Sequence, residues 1–429
     1  MTAVILAGGK GTRLRDYTQS IPKPLVKVKE KPVLEWQIET LRKNGITKIV
    51  LVIGHLGDKI KEYFRDGSPW GVNIAYFEEG KPLGTAGAFY DLKKVLPDEF
   101  LVLYGDLIFD VNVQRLIQFH HDHAADCTLM VHPNDHPADS DIVMLDDTDR
   151  VRGFLRKNVP RPFNYNNSVN AGIFYLHKQL FADLLKDTKQ DLERDVIETA
   201  LLRKKIFGYK TTEYLKDMGT PERYEQVLKH VTNGVVEKRS LSYPQKAVFL
   251  DRDGTINKQA GLIYKPEQLE ISEEVYEAIG KLNRSEYLSI VITNQSVVAR
   301  NLCSEQELKA IHRKMETLLG HRNVYIDDLY YCPHHPDAGY PEENRELKIE
   351  CSCRKPKTGL IEAAVKKYNI DLASSYFIGD TSTDVQTGKN AQLKTILLST
   401  ADHKTDAAVS PDHYAKNLLE AITLITGRI

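Results

Sequence analysis

The chain has 429 residues, of which 41% are hydrophobic and 27% are charged. That length exceeds one ordinary hydrophobic core, so it predicts a globular protein of two domains. The formal net charge of -1 excludes a general attraction to nucleic acid or anionic membranes, and no apolar stretch is long enough to predict a membrane span. Because no basic leader precedes the first apolar run, we expect no signal peptide and a cytoplasmic protein.

The first half of the sequence alternates short apolar runs with amphipathic stretches. This alternation is typical of βαβ units around a mostly parallel, Rossmann-like sheet, so the fold class is α/β. Residues 232–245 are polar and aperiodic, which predicts a linker between a domain over 1–231 and a second α/β domain over 246–429. We predict strands at 2–6, 48–53, 101–104, 127–131 and 246–250 and helices at 34–43, 113–121 and 221–231.

A glycine-rich run, L-A-G-G-K-G-T-R-L, follows the first predicted strand. Gly8, Gly9 and Gly11 allow the backbone to approach phosphate groups closely. Arg13 in the same run and Lys23 in P-K-P-L add cations. The run lacks the third glycine of a dinucleotide fingerprint and the G-K-[ST] ending of a P-loop. By itself it is equally consistent with a solvated glycine-rich turn.

Two carboxylates in the first half are candidates for a magnesium site. Asp106 follows the predicted strand at 101–104, and Asp217 lies in the turn-rich sequence K-D-M-G-T-P. Proteins usually hold Mg²⁺ with one or two carboxylates together with phosphate oxygens of the substrate. The two residues therefore favour a nucleoside triphosphate as a ligand of this domain.

Six sequence blocks occur in the order seen in sugar-1-phosphate nucleotidyltransferases: L-A-G-G-K-G-T-R-L, P-K-P-L, P-L-G-T-A-G, Y-G-D, N-A-G and D-M-G-T-P. The resemblance covers about residues 1–230 and is strongest to the branch that makes GDP-mannose and GDP-heptose. It implies transfer of a nucleotidyl group, with GTP as the expected donor, to a sugar 1-phosphate and release of pyrophosphate.

The same resemblance implies roles for individual residues. The run from Gly8 to Arg13 is expected to hold the base and the triphosphate, and Asp106 and Asp217 to bind Mg²⁺. Lys23 is expected to neutralise charge at the reacting phosphate. Arg156 stands where the family usually has glutamate, before the lysine that contacts the sugar phosphate. The other expected nucleotide- and sugar-binding residues are Thr12, Gly84, Lys157 and Asn170.

A second motif, F-L-D-R-D-G-T, follows the strand predicted at 246–250. Asp251 and Asp253 are two residues apart, so an extended backbone points both side chains the same way. Together with later elements they resemble the haloacid dehalogenase phosphatase superfamily over about residues 246–400. The later elements are Thr293, Arg354-Lys355, Gly379-Asp380 and Asp384.

This second resemblance implies hydrolysis of a phosphate monoester, a reaction slow enough to need covalent and metal assistance. Asp251 is expected to attack phosphorus, and Asp253 to act as general acid and then general base. Mg²⁺ is expected on Asp251, Asp380 and the backbone carbonyl of Asp253, supported by Asp384. The residues expected to bind the phosphoryl group are Thr293, Asn294, Arg354 and Lys355.

Three cysteines and a histidine form two close pairs, Cys332 with His334 and Cys351 with Cys353. Three thiolates and one imidazole suit a closed tetrahedral zinc site, so we predict structural Zn²⁺ in a reducing compartment. His335, next to this group, is expected at the surface.

The blocks D-R-D-G-T-I-N, T-N-Q-S, Y-Y-C-P-H-H-P and C-x-C-R-K-P resemble D-glycero-D-manno-heptose-1,7-bisphosphate 7-phosphatase. Histidinol phosphatase shares the zinc loop and is the main alternative. The sequence departs from the heptose pattern at Val297 and Asn301, where glycines are usual, and at Thr381, where lysine is common.

The leading hypothesis is a bifunctional enzyme of nucleotide-activated heptose synthesis, with heptose 1,7-bisphosphate and heptose 1-phosphate as its sugar substrates. One alternative keeps both activities on another sugar phosphate. Another is a non-catalytic scaffold related to nucleotidyltransferases, which the presence of Arg13, Lys23, Asp106 and Asp217 argues against. The sequence predicts no particular oligomeric state.

Overall fold

A computed structural model describes residues 1–9, 11–157, 159–161, 163–337, 343–399 and 409–427. The chain folds as two compact units that divide between Ser242 and Tyr243, inside the predicted linker. Two short segments from the first half of the sequence belong to the second unit. The first unit comprises Met1–His132, Val143–Leu155 and Ser168–Ser242; the second comprises Pro133–Ile142, Arg156–Asn167 and Tyr243–Ile429.

The strands predicted in the first unit are confirmed to within two residues at each end. They are part of the following set: β1 (Thr2–Leu6), β2 (Lys27–Val28), β3 (Lys31–Pro32), β4 (Lys48–Ile53), β5 (Asn73–Glu78), β6 (Glu99–Tyr104), β7 (Leu107–Asp110), β8 (Cys127–His132), β9 (Ile142–Leu145), β10 (Val151–Leu155), β11 (Val169–His177), β12 (Ile206–Lys210) and β13 (Tyr214–Asp217). The helices are α1 (Arg15–Thr18), α2 (Val33–Lys43), α3 (Gly57–Phe64), α4 (Phe89–Leu92), α5 (Val113–Asp122), α6 (Pro221–Thr232) and α7 (Val235–Lys238).

The central strands of the first unit run in the order β5, β4, β1, β6 and β11. The first four are mutually parallel, whereas β11 is antiparallel to both β6 and β8. The sheet is therefore mixed where the sequence predicted it to be mostly parallel. Because the parallel strands all end on one side, the residues that follow them meet at one edge of the sheet.

Helix α2 shows how the sequence pattern produces the core beside this sheet. Its Leu34, Ile38 and Leu41 recur at three- and four-residue spacing and are completely buried. Each such side chain contributes about 1.5–3 kcal/mol when removed from water. The helix ends just before Gly45, which adopts a positive φ of 76° that favours glycine.

The segment predicted as a linker is structured. It contains α7, and Ser240 and Leu241 are buried. The backbone N–H of Leu241 donates to the Glu213 carboxylate at 3.0 Å, and the N–H of Asn112 donates to the same oxygen at 2.9 Å. A buried carboxylate thus joins this segment to the start of α5, which composition alone did not indicate.

We expect Glu213→Gln to make thermal stability less dependent on pH. Burial raises the pKa of Glu213 to about 7, whereas an unfolded glutamate titrates near ~4.3. The folded state therefore binds this proton more tightly than the unfolded state does. The resulting stabilisation is complete below the unfolded pKa and is lost as the pH rises through about 7. Glutamine can still accept both N–H bonds and has no proton to lose.

The measurement is the melting temperature between about pH 5 and about pH 8. The glutamine variant should lose less stability than the wild type across this interval. Glu213→Ala is the contrast, because it leaves the N–H groups of Asn112 and Leu241 without their acceptor and should cost ~1–3 kcal/mol at every pH. Equal pH slopes for wild type and Glu213→Gln would contradict the prediction.

The second unit is built on a parallel six-stranded sheet in the order β16, β15, β14, β17, β18 and β19. Its strands are β14 (Lys246–Leu250), β15 (Tyr287–Asn294), β16 (Asp328–Cys332), β17 (Tyr376–Gly379), β18 (Lys394–Leu398) and β19 (His413–Ala415). Its helices are α8 (Glu273–Asn283), α9 (Glu305–His321), α10 (Gly359–Tyr368), α11 (Ser382–Asn390) and α12 (Leu418–Thr426). The α/β fold class with two Rossmann-like sheets is confirmed.

Among the described residues, none of the helices combines the length and apolar character that crossing a bilayer requires.

Candidate active sites

A cavity of about 500 Å³ opens at the edge of the first sheet. Its walls come from the residues that directly follow the four parallel strands. They include Gly8 after β1, Gly54 after β4, Glu79 after β5 and Asp106 after β6. The predicted residues that line the cavity are Gly8, Gly9, Gly11, Arg13, Lys23, Gly84 and Asp106.

Two glycines of this cavity, Gly8 and Gly84, are required by close contacts with their neighbours. A Cβ atom on Gly8 would lie 2.9 Å from Oε2 of Glu79 and 3.4 Å from the backbone nitrogen of Gly54. Gly84 has a φ of 78°, and a Cβ there would lie 2.3 Å from the carbonyl oxygen of Gln190. Any side chain at these positions would displace neighbouring backbone or fill the cavity, so these glycines set the cavity's shape.

A partly buried cation lies against the predicted magnesium ligand of the first unit. Lys23 Nζ is 2.5 Å from Oδ2 of Asp106, and their side chains are 12% and 28% exposed. Each group compensates the charge of the other. An entering anion could therefore pair with Lys23, and an entering metal ion could pair with Asp106. The pair therefore places a positive charge beside a carboxylate oxygen at the strand end.

Asp217, the second predicted ligand, is also paired with a cation. Its carboxylate accepts from Nη1 of Arg223 at 3.0 and 3.1 Å and from the Gly219 N–H at 2.7 Å. Strand β13 brings it close to Asp106, since the N–H of Met218 donates to the Asp106 carbonyl at 3.0 Å. Two carboxylates and their cations thus converge here, which fits the oxygen ligands that Mg²⁺ requires.

Two predicted nucleotide- or sugar-binding residues, Asn170 and Lys157, and the predicted magnesium ligand Asp217 are not among the described residues that line this cavity. Asn170 sits at an irregularity of β11, where its side chain accepts from the Gly172 N–H at 3.1 Å. Lys157 belongs to the second unit, where it lines a separate cavity of about 350 Å³ with Arg161, Tyr165 and others. The side chain of Thr12 lies outside the described part of the structure.

Sequence reasoning missed several polar residues of the first site. Glu79, Tyr104 and His55 line the cavity, and Arg223 holds Asp217. Tyr104 donates its hydroxyl to Glu193 at 2.8 Å. The available signal was positional: Glu79 and His55 each lie within two residues of the end of a strand in the parallel part of the sheet.

In the second unit, three carboxylates and one lysine meet at the sheet edge. Ligand oxygens of Asp251, Asp380 and Asp384 lie within 4.8 Å of one another. Lys355 Nζ bridges two of them, 2.8 Å from Asp251 and 2.5 Å from Asp384. A Cβ on Gly254 would lie 2.1 Å from Oδ2 of Asp380, so only glycine leaves room for this carboxylate.

Crowding of these charges shifts their pKa values. Burial raises the pKa of Asp251 to about 7, against the lowering effect of Lys355 and with a further rise from Asp384. Burial and the Asp384 charge raise the pKa of Asp380 to about 6. Burial lowers the pKa of Lys355, but Asp251 and Asp384 outweigh it and raise the value above the ordinary range. This arrangement suits a divalent metal ion, because three carboxylates share one cation. In addition, Oδ1 of Asp380 is buried without a partner among the described residues.

Asp253 is held in place by three polar neighbours. Arg252, fully buried, contacts both carboxylate oxygens at 2.9 Å. Gln295 and Asn257 donate to the same carboxylate at 2.8 and 3.0 Å. Burial lowers the pKa of His312 far enough to leave a neutral ring beside Arg252 Nη1, 3.1 Å away. These contacts hold the Asp253 carboxylate in one orientation. The sequence analysis had not singled out Arg252.

The predicted phosphoryl-binding residues come from two neighbouring segments. Thr293 is buried and accepts from Gln295 at 2.8 Å. Asn294 forms paired bonds with the backbone of Lys355, at 3.0 and 3.2 Å. Arg354 donates to the His334 carbonyl at 2.9 Å. The end of β15 thus fixes the segment that carries both cations.

Cys332, His334, Cys351 and Cys353 cluster as predicted and could hold a metal ion. The sulfur–sulfur distances run from 3.2 to 3.6 Å, and His334 Nδ1 is 3.3 and 3.6 Å from two of the sulfurs. A tetrahedron with zinc–sulfur bonds of about 2.3 Å has edges of about 3.8 Å. The donor set and the spacing therefore fit one zinc ion.

The prediction for His335 was wrong. Its side chain is buried, and Nε2 faces Nη2 of Arg300 at 3.4 Å. Burial, together with Arg354 and Arg300, lowers the pKa of His335. Adjacent residues in a loop need not share exposure, and the ring of His335 packs inward beside Arg300.

The three departures from the heptose pattern are compatible with the fold. Asn301 adopts a positive φ of 55°, a conformation that asparagine tolerates better than most residues. Val297 has no positive φ and is part of the core. Thr381 caps α11. Its hydroxyl and its backbone N–H both donate to Oδ2 of Asp384, at 2.6 Å and 3.1 Å. Thr381 thus helps orient a residue of the site.

Two α/β sheets, each with charged residues at the carboxyl ends of its strands, define a two-site protein of phosphate chemistry. Residues 2–234, more than half of the chain, match the family described as nucleotidyl transferase. Residues 352–421 match the family described as HAD-hydrolase-like. Over 185 residues the chain is 37% identical to D-glycero-beta-D-manno-heptose-1,7-bisphosphate 7-phosphatase of Pasteurella multocida (strain Pm70), covering 43% of this chain and 98% of that relative.

Two further relatives add detail. Over 180 residues the chain is 36% identical to D-glycero-alpha-D-manno-heptose-1,7-bisphosphate 7-phosphatase of Photorhabdus laumondii subsp. laumondii, covering 42% of this chain and 96% of the relative. Over 230 residues it is 35% identical to "Probable mannose-1-phosphate guanylyltransferase 1" of Oryza sativa subsp. japonica, covering 52% of this chain and 63% of the relative. The chain therefore belongs to the nucleotidyl transferase family and also to the HAD-like heptose-bisphosphate phosphatase family. Both resemblances predicted from the sequence are confirmed, and the pairing supports a role in heptose activation.

Proposed function

We propose that the chain removes the 7-phosphate of D-glycero-D-manno-heptose 1,7-bisphosphate and then transfers GMP from GTP to the heptose 1-phosphate, releasing pyrophosphate. The observation that carries the proposal is the presence of two complete charged sets in one chain. One is Lys23 with Asp106 in the first cavity; the other is Lys355 with Asp251 and Asp384. A nucleotidyltransferase needs a free anomeric phosphate as nucleophile. The phosphatase is useful to it only if it removes the other phosphate.

In the phosphatase step, Asp251 attacks phosphorus and the bond to the sugar oxygen breaks, giving an aspartyl phosphate. Asp253 protonates the departing alkoxide and then takes a proton from the water that hydrolyses the intermediate. The contacts from Arg252 and Gln295 support this role, because they hold the Asp253 carboxylate in one orientation. Lys355, with Thr293, Asn294 and Arg354, would bind the phosphoryl oxygens.

Mg²⁺ in the phosphatase site would be held by Asp251, Asp380 and the backbone carbonyl of Asp253. It would supply positive charge at the phosphoryl group and keep the crowded carboxylates ionised. The raised pKa values of Asp251 and Asp380, about 7 and about 6, support the need for that charge. Asp384 supports the site through its contact with Lys355.

In the transfer step, an oxygen of the sugar 1-phosphate attacks the α-phosphorus of the nucleotide in line, and the bond to pyrophosphate breaks. Such a reaction needs positioning and charge neutralisation above all. Arg13 and Lys23 would neutralise the phosphates, and the glycines Gly8 to Gly11 would bring backbone amides close to them. Asp106 and Asp217 would hold Mg²⁺, which would release Lys23 from Asp106 to contact phosphate. Thr12, Gly84 and Asn170 are proposed to complete the nucleotide and sugar contacts.

Guanine is the proposed base because the nucleotidyl transferase family includes the guanylyltransferase-named relative described above. The proposed product is GDP-D-glycero-α-D-manno-heptose. The phosphatase relatives are named for both anomers, beta in Pasteurella multocida and alpha in Photorhabdus laumondii. The experiment must therefore supply each anomer separately.

The test is to incubate the full chain with each anomer of the bisphosphate, Mg²⁺ and one nucleoside triphosphate at a time. Products are followed by mass spectrometry and phosphorus NMR. We expect loss of the 7-phosphate first and GDP-heptose second, with the α-anomer and GTP. Loss of the anomeric phosphate first, or a clear preference for histidinol phosphate, would overturn the proposal.

The cysteine and histidine cluster is proposed to hold one structural zinc ion. Cys353 directly precedes Arg354 and Lys355, so the metal would also fix the segment that carries the phosphoryl-binding cations. We expect about one zinc per chain by metal analysis and a lower melting temperature for Cys351→Ser. We also expect phosphate release to fall while pyrophosphate release persists. Cys303→Ser, a buried thiol outside the cluster, is the control and should leave the metal content unchanged. Absence of zinc from protein purified without chelators would refute this assignment.

A further inference from the structure

Arg252 is a buried cation that contacts two different parts of the second unit. Its side chain is completely buried, whereas the Asp253 side chain beside it is 22% exposed. Nε and Nη2 both donate to the Asp253 carboxylate, at 2.9 to 3.1 Å. Nη1 instead contacts Nε2 of His312, at 3.1 Å. Among the described residues, the Arg252 side chain has no hydrogen-bond partner besides these two.

The contact with Arg252 fixes the state of the His312 ring. Arginine only donates hydrogen bonds, so Nε2 of His312 is the unprotonated nitrogen that accepts, and the ring proton is on Nδ1. Burial, together with the charge of Arg252, lowers the pKa of His312 and keeps the ring neutral. His312 is thus an acceptor for the one guanidinium nitrogen that Asp253 leaves unused.

The turn after β14 explains why Arg252 needs an anchor from elsewhere. Adjacent residues of an extended chain point their side chains to opposite sides, so Arg252 and Asp253 would not meet on a straight strand. The chain bends here, and the Arg252 carbonyl accepts from the N–H groups of Ile256 and Asn257 at 2.9 and 3.0 Å. A turn alone does not hold a long side chain in place. His312 supplies a contact from 60 residues away in the sequence.

Helix α9 gives His312 a fixed position. Its neighbours on the helix, Ile311 and Met315, are completely buried in the core of the second unit. The His312 ring packs beside the ring of Tyr331 on β16, with the centroids 5.2 Å apart. Close packing of this kind leaves little room for displacement. The ring therefore sets the position of the Arg252 guanidinium.

Resting on the proposed function, we propose that His312 is a positioning residue of the phosphatase. It holds Nη1 of Arg252, and Arg252 in turn holds the Asp253 carboxylate towards the leaving oxygen. When the bond between phosphorus and the sugar oxygen breaks, the alkoxide takes its proton from Asp253, so a carboxylate that turns away slows this step. A leaving group that departs as a stable anion needs no proton and is insensitive to the orientation of Asp253.

The test compares two kinds of leaving group in the full chain carrying His312→Leu, with Mg²⁺ present. The substrates are p-nitrophenyl phosphate, a simple alkyl phosphate and the heptose 1,7-bisphosphate. Release of the leaving group in the first turnover is measured by absorbance for nitrophenolate and by rapid quench for the alcohols. Hydrolysis of the aspartyl phosphate then makes no contribution.

We expect the first-turnover rate to fall roughly 10- to 100-fold for the alcohols, because a well-placed general acid contributes ~10²- to 10⁴-fold. Nitrophenolate release should stay within about twofold of the wild type, since nitrophenolate leaves without a proton. An equal loss with both kinds of leaving group, or no loss with either, would overturn the proposal.

Three further variants separate positioning from stability. His312→Gln carries an amide oxygen near the place of Nε2 and should recover most of the rate with alcohols. His312→Asn is too short to reach Arg252 and should repeat the leaving-group dependence of His312→Leu in a more polar, better tolerated form. Leu319→Ala removes a completely buried side chain about two turns further along α9. It should lower the melting temperature without making the rate depend on the leaving group. A folded His312→Gln chain as slow with alcohols as His312→Leu would contradict the assignment.

A double variant tests whether His312 acts through Arg252. Arg252→Met removes both the grip on Asp253 and the donor to His312, so it should slow the release of alcohols at least as much as His312→Leu does. Adding His312→Leu to Arg252→Met should then cause no further loss. Losses that multiply would show that His312 acts by another route.

The aryl and alkyl phosphates separate this inference from the proposed function. A leaving-group-dependent loss with these two substrates, in a chain that does not hydrolyse the heptose bisphosphate, would leave the inference standing and refute the sugar assignment. Release of the 7-phosphate by a folded His312→Leu chain at the wild-type rate would do the reverse.

Discussion

Asp251→Asn should abolish phosphate release and leave pyrophosphate release intact. Asparagine keeps the shape of the side chain but is not a nucleophile, so the loss should be ~10³-fold or more. The fold should survive, because Lys355 keeps its contact with Asp384. The transfer reaction should survive because the first unit has its own hydrophobic core around β1, β4 and β6. Both products are measured in one reaction mixture, with purified heptose 1-phosphate supplied for the second step.

Asp106→Asn is the reciprocal variant. It removes a charged ligand from the first cavity and should lower pyrophosphate release by ~10²-fold or more, with phosphate release unchanged. Lys23 loses its partner but remains partly exposed, so the cost in stability should be small. If either variant, shown to be folded, silenced both reactions, the model of two independent sites would be wrong.

Lys355→Met should both destabilise the second unit and remove phosphatase activity. The lysine, 4% exposed, is the cation between Asp251 and Asp384, whose side chains are 11% and 1% exposed. Removing one member of a buried charge group leaves the others uncompensated and costs about 3–5 kcal/mol. The proposed contact with the phosphoryl oxygens is lost at the same time. Thermal unfolding without added Mg²⁺ and phosphate release are the two measurements.

Two comparisons make the Lys355 prediction specific. Lys357→Met removes a surface partner of Glu350 and should leave the melting temperature almost unchanged, because solvent screens this exposed pair. Combining Lys355→Met with Asp384→Asn removes one of the stranded charges and should recover part of the stability but none of the activity. A Lys355→Met chain as stable as the wild type would contradict the assignment of this lysine as the compensating charge.

The sequence predicted the secondary structure well where the apolar period was unambiguous. Strands β1, β4 and β14 begin and end at the predicted residues, and α5 ends one residue beyond the prediction. The apolar pattern could not predict whether β11 runs parallel or antiparallel to its neighbours, because a nearly continuous apolar run is compatible with both. Nor did it show that residues 133–142 and 156–167 pack with the second unit. Their assignment depends on contacts with residues far away in sequence, such as the N–H of Tyr165 to Thr317 at 2.9 Å.

The amino-acid sequence by itself predicted both families, the Cys/His cluster that could hold a metal ion and most of the charged residues of each site, because those residues follow strands or stand in fixed local spacing. Only the tertiary structure decided which charges are paired. Lys23 with Asp106 and Lys355 with Asp384 are 83 and 29 residues apart. Arg252 gained a role only there, since its burial against Asp253 is a property of packing. A local sequence pattern predicts on which side of its own strand or helix a side chain lies. Which partner that side chain contacts depends on how strands distant in the sequence align.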